Sequence, residues 1–135
     1  MPSFTTVRRV EFHDTDMAGI MHFTSYFRFM EVAEHALLRS LGMSVISESE
    51  GEPLSWPRIS ATCDYRAPAR FNDELEIEAA VDQIGTKSVT YRFTFRCQDR
   101  ELAVGKMTAV CCLFRQGVPP LPIEIPVSIR QILEG

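Results

Sequence analysis

Two aspartates separated by a single residue open the stretch of this chain that is best suited to chemistry. The run Asp14-Thr15-Asp16-Met17-Ala18-Gly19-Ile20 follows a strand-like pattern at Val7, Val10 and Phe12 and precedes a helix-like apolar pattern. Carboxylates placed before a helix N-terminus face unpaired backbone N–H groups and the favourable end of the helix dipole. One carboxylate can then attack or activate water while N–H groups hold a developing oxyanion.

A long helix is predicted after this turn, over residues 24–41. Apolar residues cover most of its circumference, which is typical of a helix buried on several sides. The remaining polar positions form one narrow stripe: Arg28, Glu31, His35 and Arg39. Within this stripe we expect Glu31 to find its partner at Arg28 or His35, one turn away.

Four strands are predicted after a loop at residues 43–53. Three show alternating apolar and polar residues, at 59–65, 74–82 and 88–97, and the fourth, 102–114, is apolar on both faces. Short connections indicate antiparallel hairpins. Prolines then interrupt the pattern before a short terminal helix at 127–133. The order predicts an α+β fold in which a curved antiparallel sheet of five strands wraps one long central helix.

The bulk composition excludes several classes of protein. At 135 residues the chain is expected to form one domain, 1–135, with a single core. Its net charge of −4 argues against a nucleic-acid partner. No apolar run approaches the length of a membrane span or has the layout of a secretory signal, so we expect a cytoplasmic protein with no membrane partner. The cysteines and histidines lack ligand spacing, which predicts no metal site and no disulfide framework.

A second copy of the chain is expected to complete the fold. One helix cannot cover a whole five-stranded sheet, and the last predicted strand is apolar on both faces. Pairing of sheet edges or stacking of sheet faces would bury the remaining surface. We therefore expect a homodimer, and a dimer of dimers (a homotetramer) stays open.

The acidic turn and the tyrosine beyond it resemble a family signature. The run from Val10 to Tyr26, VEFHDTDMAGIMHFTSY, is similar to that of the 4-hydroxybenzoyl-CoA thioesterase family of hotdog-fold proteins. That family has an Asp-x-Asp-x-x-Gly-Ile/Val turn, then a tyrosine that opens the central helix. The segments 65–70, YRAPAR, and 73–75, DEL, resemble the family's Pro-Ala and Asp-x-Leu positions. The resemblance covers roughly the first three-quarters of the chain, and it implies a hotdog fold, a dimer or tetramer, and an acyl-CoA thioester as substrate without a cofactor.

The resemblance also implies roles for particular residues. The family's catalytic carboxylate falls on Asp16, as nucleophile or as general base on water, and its oxyanion donor falls on the backbone N–H of Phe23. Because the pKa of a thiol is near ~8.5, a thiolate leaves with little protonation, so one base and one oxyanion site suffice. Gly19 is expected to supply backbone freedom that lets the turn approach the thioester. We expect Asp14 to stabilise the turn rather than to react.

His22 departs from the family pattern. Members that act on aroyl-CoA carry an aromatic residue there, and prolines where this chain has Met17 and Thr24. These departures weaken the assignment of a hydroxybenzoyl acyl group. His22 is therefore either a substrate-binding residue or an ordinary half-buried polar residue.

Coenzyme A would bring phosphates that require cations. The candidates near predicted strand ends are Arg58, Arg66, Arg70, and Lys87 with Ser88. The last pair is preferred because the glycine turn at Gly85 leaves backbone N–H groups accessible. Solvated surface charge is the alternative for each of them.

Three functions stay open on the sequence alone. The first is an acyl-CoA thioesterase, and the second is a hydrolase for one aryl-CoA such as dihydroxynaphthoyl-CoA. The third is a hotdog domain that binds acyl-CoA without hydrolysing it. A carboxylate beside the carbonyl oxygen argues against the third, because a pure binder gains nothing from that charge.

Overall fold

A five-stranded antiparallel sheet and one long helix frame the protein in a computed structural model that describes all 135 residues. The helices are α1, Ser25–Ser40, and α2, Val127–Glu134. The strands are β1 Ser3–Arg9, β2 Ser47–Ser49, β3 Glu52–Ser55, β4 Arg58–Tyr65, β5 Glu74–Ile84, β6 Ser88–Cys97, β7 Arg100–Val110, β8 Cys112–Leu113 and β9 Leu121–Pro122. Neither helix is long and apolar enough to cross a membrane.

The larger sheet has the strand order β1-β5-β6-β7-β4, and every neighbouring pair in it is antiparallel. This confirms the predicted α+β class and the five-stranded sheet. Helix α1 lies against the sheet, with Phe29, Met30 and Leu37 fully buried. Gly105 in β7 leaves room for the end of the Met30 side chain, because a Cβ there would overlap the Met30 Cε and Sδ atoms.

The helix prediction is confirmed within a residue at each end. Arg28, Glu31 and Arg39 of the predicted polar stripe are exposed, and His35 is half-buried. One acid of α1, Glu34, lies outside the stripe and is buried. The predicted terminal helix is also present, as α2.

Three predicted boundaries were wrong. The first strand ends at Arg9, and Phe12 begins a separate 3-10 turn, Phe12–Asp14, in which it is exposed. The segment 43–53 is not one loop, since it contains β2 and the start of β3. The last predicted strand divides at Cys111 into β7 and β8, and β8 leaves the large sheet for a small one of order β2-β3-β8-β9.

Part of the sheet surface that the sequence assigned to a second copy is covered within the chain itself. Helix α2 packs beside β5 and buries Ile129 and Leu133, so α1 does not cover the sheet alone. Strand β7 is not apolar along the whole of both faces. Lys106 is exposed, and its Nζ atom forms an ion pair with Asp82 Oδ2 at 3.2 Å. Strand β4 is an edge of the sheet, and the homodimer stays a prediction.

Candidate active site

The acidic turn is a tight loop held against the segment that follows β4. The Asp16 N–H donates to the Ile20 carbonyl at 2.9 Å, and the Gly19 N–H donates to the Asp16 carbonyl at 3.0 Å. Gly19 has φ +78°, where side chains are strained, and a Cβ there would meet no atom within 4 Å. Backbone conformation rather than crowding therefore requires this glycine. The Met21 N–H donates to the Ala69 carbonyl at 2.7 Å, which fixes the loop to its neighbour.

The Asp16 carboxylate is half-buried and keeps one oxygen free. Its Oδ1 accepts the Ala18 N–H at 2.8 Å, and Oδ2 has no donor within the protein. The side chain lines a cavity of about 400 Å³ that is mostly apolar. The cavity is lined by Asp16, Ile20, Met21, Phe23, Tyr26, Tyr65, Arg66, Ala67 and Pro68. A carboxylate in this position combines a fixed geometry with an oxygen that is available to a ligand.

Asp14 has a structural position, as the sequence predicted. Its buried carboxylate accepts the Glu11 N–H at 2.9 Å, and its carbonyl accepts the His22 N–H at 2.7 Å and the Ser25 hydroxyl at 3.0 Å. The His13 Nε2 atom lies 3.5 Å from Oδ1. The side chains of Glu11, His13 and Asp14 each offer one atom that could bind a metal ion, and these three atoms lie within 4.8 Å of one another. Since its contacts join the 3-10 turn to the start of α1, Asp14 stabilises this region.

Phe23 carries an unpaired backbone donor beside the cavity. The N–H groups on either side of it are used: His22 donates to the Asp14 carbonyl and Thr24 donates to His22 Nδ1 at 3.2 Å. The Ser25 N–H donates to the His22 carbonyl at 2.9 Å. The Phe23 N–H has no acceptor within the protein. An N–H held in this way is suited to an oxyanion.

His22 holds the turn that precedes α1. Its Nδ1 atom lies 2.7 Å from the Thr24 hydroxyl and accepts the Thr24 N–H. Because Nδ1 accepts that N–H, the hydrogen bonds assign the ring proton to Nε2. The imidazole stacks on the Phe23 ring with the centroids 4.6 Å apart. His22 does not line the Asp16 cavity within one chain, and a substrate-binding role for it stays a prediction.

Two tyrosines form an aromatic wall of the cavity. The Tyr26 ring packs edge-on against Tyr65 and Phe95, with centroid distances of 5.0 and 5.1 Å. The Tyr65 hydroxyl donates to the Phe23 carbonyl at 2.8 Å. Burial raises the pKa of Tyr26, and burial with the nearby Cys63 raises the pKa of Tyr65 to about 12, so both hydroxyls are protonated near neutral pH. The sequence motif contained Tyr65 without indicating this bond.

The predicted cations fall into two groups. Arg66 lines the cavity and is bonded to Glu101 at 2.8 Å on the surface, and the Arg70 main chain lies beside the acidic turn. Lys87 and Ser88 are at the opposite end of the sheet. Ser88 pairs with Val110 of β7, whereas Tyr65 pairs with Ala103, seven positions along that strand. That separation is roughly 23 Å, so one chain does not bring Lys87 or Ser88 to Asp16.

Arg58, another of the predicted cations, lies at this second end of the sheet in an ion pair with the buried carboxylate of Glu34, and its own side chain is 25% exposed. Glu34 accepts a 2.9 Å bond at Oε2 from Arg58 Nη1, and Arg58 Nη2 bonds to the other carboxylate oxygen. Glu31 lies 3.8 Å from Arg58 Nη2, so its partner is on β4 and not on α1 as predicted. Burial and the charge of Glu34 raise the pKa of Tyr91. The sequence signal for this site was an acid at a core-facing position of the helix.

Comparison with known proteins agrees with this geometry. A model of the thioesterase-like superfamily matches residues 10–133. The chain belongs to this superfamily. Membership confirms the hotdog-fold thioesterase class that the acidic turn predicted.

Individual relatives in the superfamily are named as thioester hydrolases. The chain is 30% identical to 1,4-dihydroxy-2-naphthoyl-CoA hydrolase of Prochlorococcus marinus, across 82% of this chain and 83% of that protein. It is 29% identical to an acyl-CoA thioesterase of Haemophilus influenzae, across 92% of each. The solved structure of a gentisyl-coenzyme A thioesterase is 31% identical, with a TM-score of 0.83 over 96% of this chain and 99% of that one.

Proposed function

We propose that the chain hydrolyses acyl-CoA thioesters, with Asp16 as the reacting carboxylate and the Phe23 N–H as the oxyanion donor. One observation carries this proposal: a carboxylate with a free oxygen and a residue with an unpaired N–H line the same apolar cavity. A thioester carbonyl between them would meet a base or nucleophile at carbon and a donor at oxygen. No cofactor is required, because the coenzyme A is part of the substrate.

Two routes use these groups. In the base route, Asp16 takes a proton from water, the hydroxide adds to the carbonyl carbon, and collapse expels the thiolate, which receives that proton. In the nucleophile route, an Asp16 oxygen adds to the carbon and the thiolate leaves. Water then hydrolyses the mixed anhydride and restores the carboxylate. Both routes place negative charge on the carbonyl oxygen, to which the Phe23 N–H would donate.

An aryl-CoA is the second candidate substrate. Two of the relatives described above are named for hydroxylated aryl groups, 1,4-dihydroxy-2-naphthoyl and gentisyl. The cavity wall formed by Phe23, Tyr26 and Tyr65 offers aromatic faces to such a group. The relative from Haemophilus influenzae is named more broadly, for acyl-CoA.

A thiol-release screen tests the function. Acetyl-, octanoyl-, palmitoyl-, benzoyl- and 1,4-dihydroxy-2-naphthoyl-CoA are supplied separately, and free thiol is followed with a chromogenic disulfide. We expect turnover of at least one thioester, and a preference for the aryl substrates would select the second candidate. Stoichiometric binding without thiol release would contradict both and leave a hotdog domain that only binds acyl-CoA.

We also infer a homodimer formed through the β4 edge. Two β4 strands related by a two-fold axis pair antiparallel, which sets the Tyr65 end of one strand beside the Arg58 end of the partner strand. The Tyr65 end carries the Asp16 cavity, and the Arg58 end carries a second cavity of about 560 Å³. Lys87 and Ser88 lie at the Arg58 end, so each active site would draw on phosphate-binding groups from the other chain.

Mixing two inactive variants tests this shared site. Asp16→Asn removes the reacting carboxylate, and Lys87→Glu opposes a coenzyme A phosphate, so each variant alone should lose kcat/KM. After the two are unfolded together and refolded, random pairing makes half of the dimers mixed, and each mixed dimer holds one intact site. We expect about a quarter of the wild-type activity per chain. Activity no greater than the sum of the separate variants would contradict the shared site, and light scattering would check the dimer itself.

A further inference from the structure

The Tyr65 hydroxyl makes a bond that connects the sheet to the proposed oxyanion donor. Tyr65 is the last residue of β4, and its hydroxyl donates to the carbonyl of Phe23, the residue whose own N–H is unpaired. The bond joins residues 42 positions apart in the chain at 2.8 Å. It is therefore a tertiary contact, and it ends on the short turn between the acidic loop and α1.

Backbone hydrogen bonds also hold the N-terminal side of the turn. The His22 N–H is bonded to the Asp14 carbonyl, and the His22 carbonyl accepts the Ser25 N–H. The second bond restrains the carbonyl end of the peptide plane that carries the Phe23 N–H. The next plane along, which carries the Phe23 carbonyl, receives the Tyr65 hydroxyl. Without that bond, this plane would be restrained by the Thr24 N–H, which donates to His22 Nδ1 at 3.2 Å, and by the first turn of α1.

We propose that Tyr65 is a positioning residue, whose bond to the Phe23 carbonyl holds the Phe23 N–H in the direction that the reaction requires. The inference rests on the proposed function, because it assigns Tyr65 a role through the Phe23 donor. A donor stabilises charge in a transition state most when it is already oriented, because no free energy is then needed to reorient it during the reaction. A sheet residue is a rigid anchor for such a donor.

The chemistry of Tyr65 fits a permanent donor rather than a proton carrier. With its pKa raised to about 12, the hydroxyl stays protonated across the working range of the enzyme. The hydroxyl already donates a hydrogen bond to the Phe23 carbonyl oxygen. The ring also packs edge-on against Tyr26, and that contact survives loss of the hydroxyl. Removing the oxygen alone therefore removes the bond to the Phe23 carbonyl, together with the interaction of the hydroxyl with Cys63, and keeps the ring in place.

Tyr65→Phe is the test, with Tyr91→Phe as the matched control. Tyr91 loses the same hydroxyl from a buried position beside Glu34, away from the Asp16 cavity. For Tyr65→Phe we expect kcat to fall about tenfold with KM nearly unchanged, less than the loss seen when an oxyanion donor is deleted outright. Tyr91→Phe should keep the wild-type kcat. Thermal unfolding of both variants checks that each is folded at the assay temperature.

Infrared spectroscopy gives a readout that a purely structural role would not change. In an Asp16→Asn background, octanoyl-CoA or benzoyl-CoA labelled with ¹³C at the carbonyl, whichever the wild type hydrolyses, persists long enough to record its stretching band. A well-aligned donor shifts that band to lower frequency. We expect a smaller shift when Tyr65→Phe is added, and an unchanged shift when Tyr91→Phe is added.

The outcomes separate this inference from the proposed function. A wild type without thioester turnover would refute the proposed function, and the inference with it. If the wild type turns over, a Tyr65→Phe enzyme with kcat within twofold of wild type would refute the positioning role alone. A rise in KM at constant kcat would do the same, because it would make Tyr65 a substrate contact.

Discussion

Replacing Asp16 by asparagine is expected to lower kcat by at least roughly a hundredfold on any thioester that the wild type hydrolyses. The amide is the same size as the carboxylate, and its oxygen can still accept the Ala18 N–H that Asp16 Oδ1 accepts at 2.8 Å. The turn is therefore preserved. What is lost is the basic, nucleophilic oxygen, which both routes to hydrolysis require. Thiol release under saturating substrate measures the effect.

The neighbouring aspartate supplies the control. Asp14→Asn keeps one oxygen but weakens the acceptor for the Glu11 N–H at a buried position. We expect that variant to lose stability while its folded fraction retains kcat, since the carboxylate of Asp14 does not line the cavity. If Asp16→Asn keeps activity within tenfold of wild type, the assigned role of Asp16 is wrong. If Asp14→Asn instead shows the larger loss of kcat, the two aspartates have been assigned in the wrong order.

The parts of the fold that the sequence predicted are those with strong periodicity. The broad apolar arc of α1 and the alternation in β5 and β6 leave few other ways to bury their side chains, and those elements appear close to their predicted limits. The predicted β7 was too long because its apolar run continues through Cys111 into β8. Periodicity does not show where a strand leaves one sheet and joins another.

Short strands with mixed composition were missed for a related reason. Strands β2 and β3 have three and four residues, and their serines, glutamates and proline are typical of loops. They exist because β8 pairs with β3, so a segment about sixty positions away completes their hydrogen bonds. Local sequence carries no record of that partner. Tertiary pairing decided the structure of residues 47–55.

At the candidate site, local residues were easier to predict than distant ones. Asp16, Gly19 and Phe23 belong to one short run, and the structure places them in one loop beside a cavity. Tyr65 reaches that loop from the end of β4, and its bond depends on how the sheet meets the turn before α1. Lys87 and Ser88 were grouped with Asp16 because of their chemistry. Strand register places them at the other end of the chain's own sheet.

Glu34 shows what a single misplaced charge in a helix pattern can indicate. It lies between the buried residues Met30, Ala33 and Leu37, where a carboxylate would be strongly unfavourable without a partner. Its side chain is 2% exposed, and Arg58 satisfies both carboxylate oxygens from β4. Replacing Arg58 alone leaves the buried carboxylate of Glu34 without its arginine partner, which destabilises the folded state.

Arg58→Met is therefore expected to lower the free energy of unfolding by about 3–5 kcal/mol at neutral pH. The methionine approximates the length of the arginine stem, so most of the loss comes from the unpaired carboxylate of Glu34. Urea unfolding of both proteins at pH 7 measures the loss.

Two further variants decide whether the stranded charge is the cause. The double variant Glu34→Met/Arg58→Met exchanges the pair for apolar side chains and should recover most of the lost stability. Lys106 and Asp82 form an ion pair at 3.2 Å, and their side chains are 49% and 34% exposed. Lys106→Met breaks this pair and should lower the free energy of unfolding by less than about 1 kcal/mol. If Arg58→Met costs no more than Lys106→Met, water must reach Glu34. The carboxylate would then be hydrated in the folded state, and the ion pair would contribute no more to the free energy of unfolding than an exposed pair does.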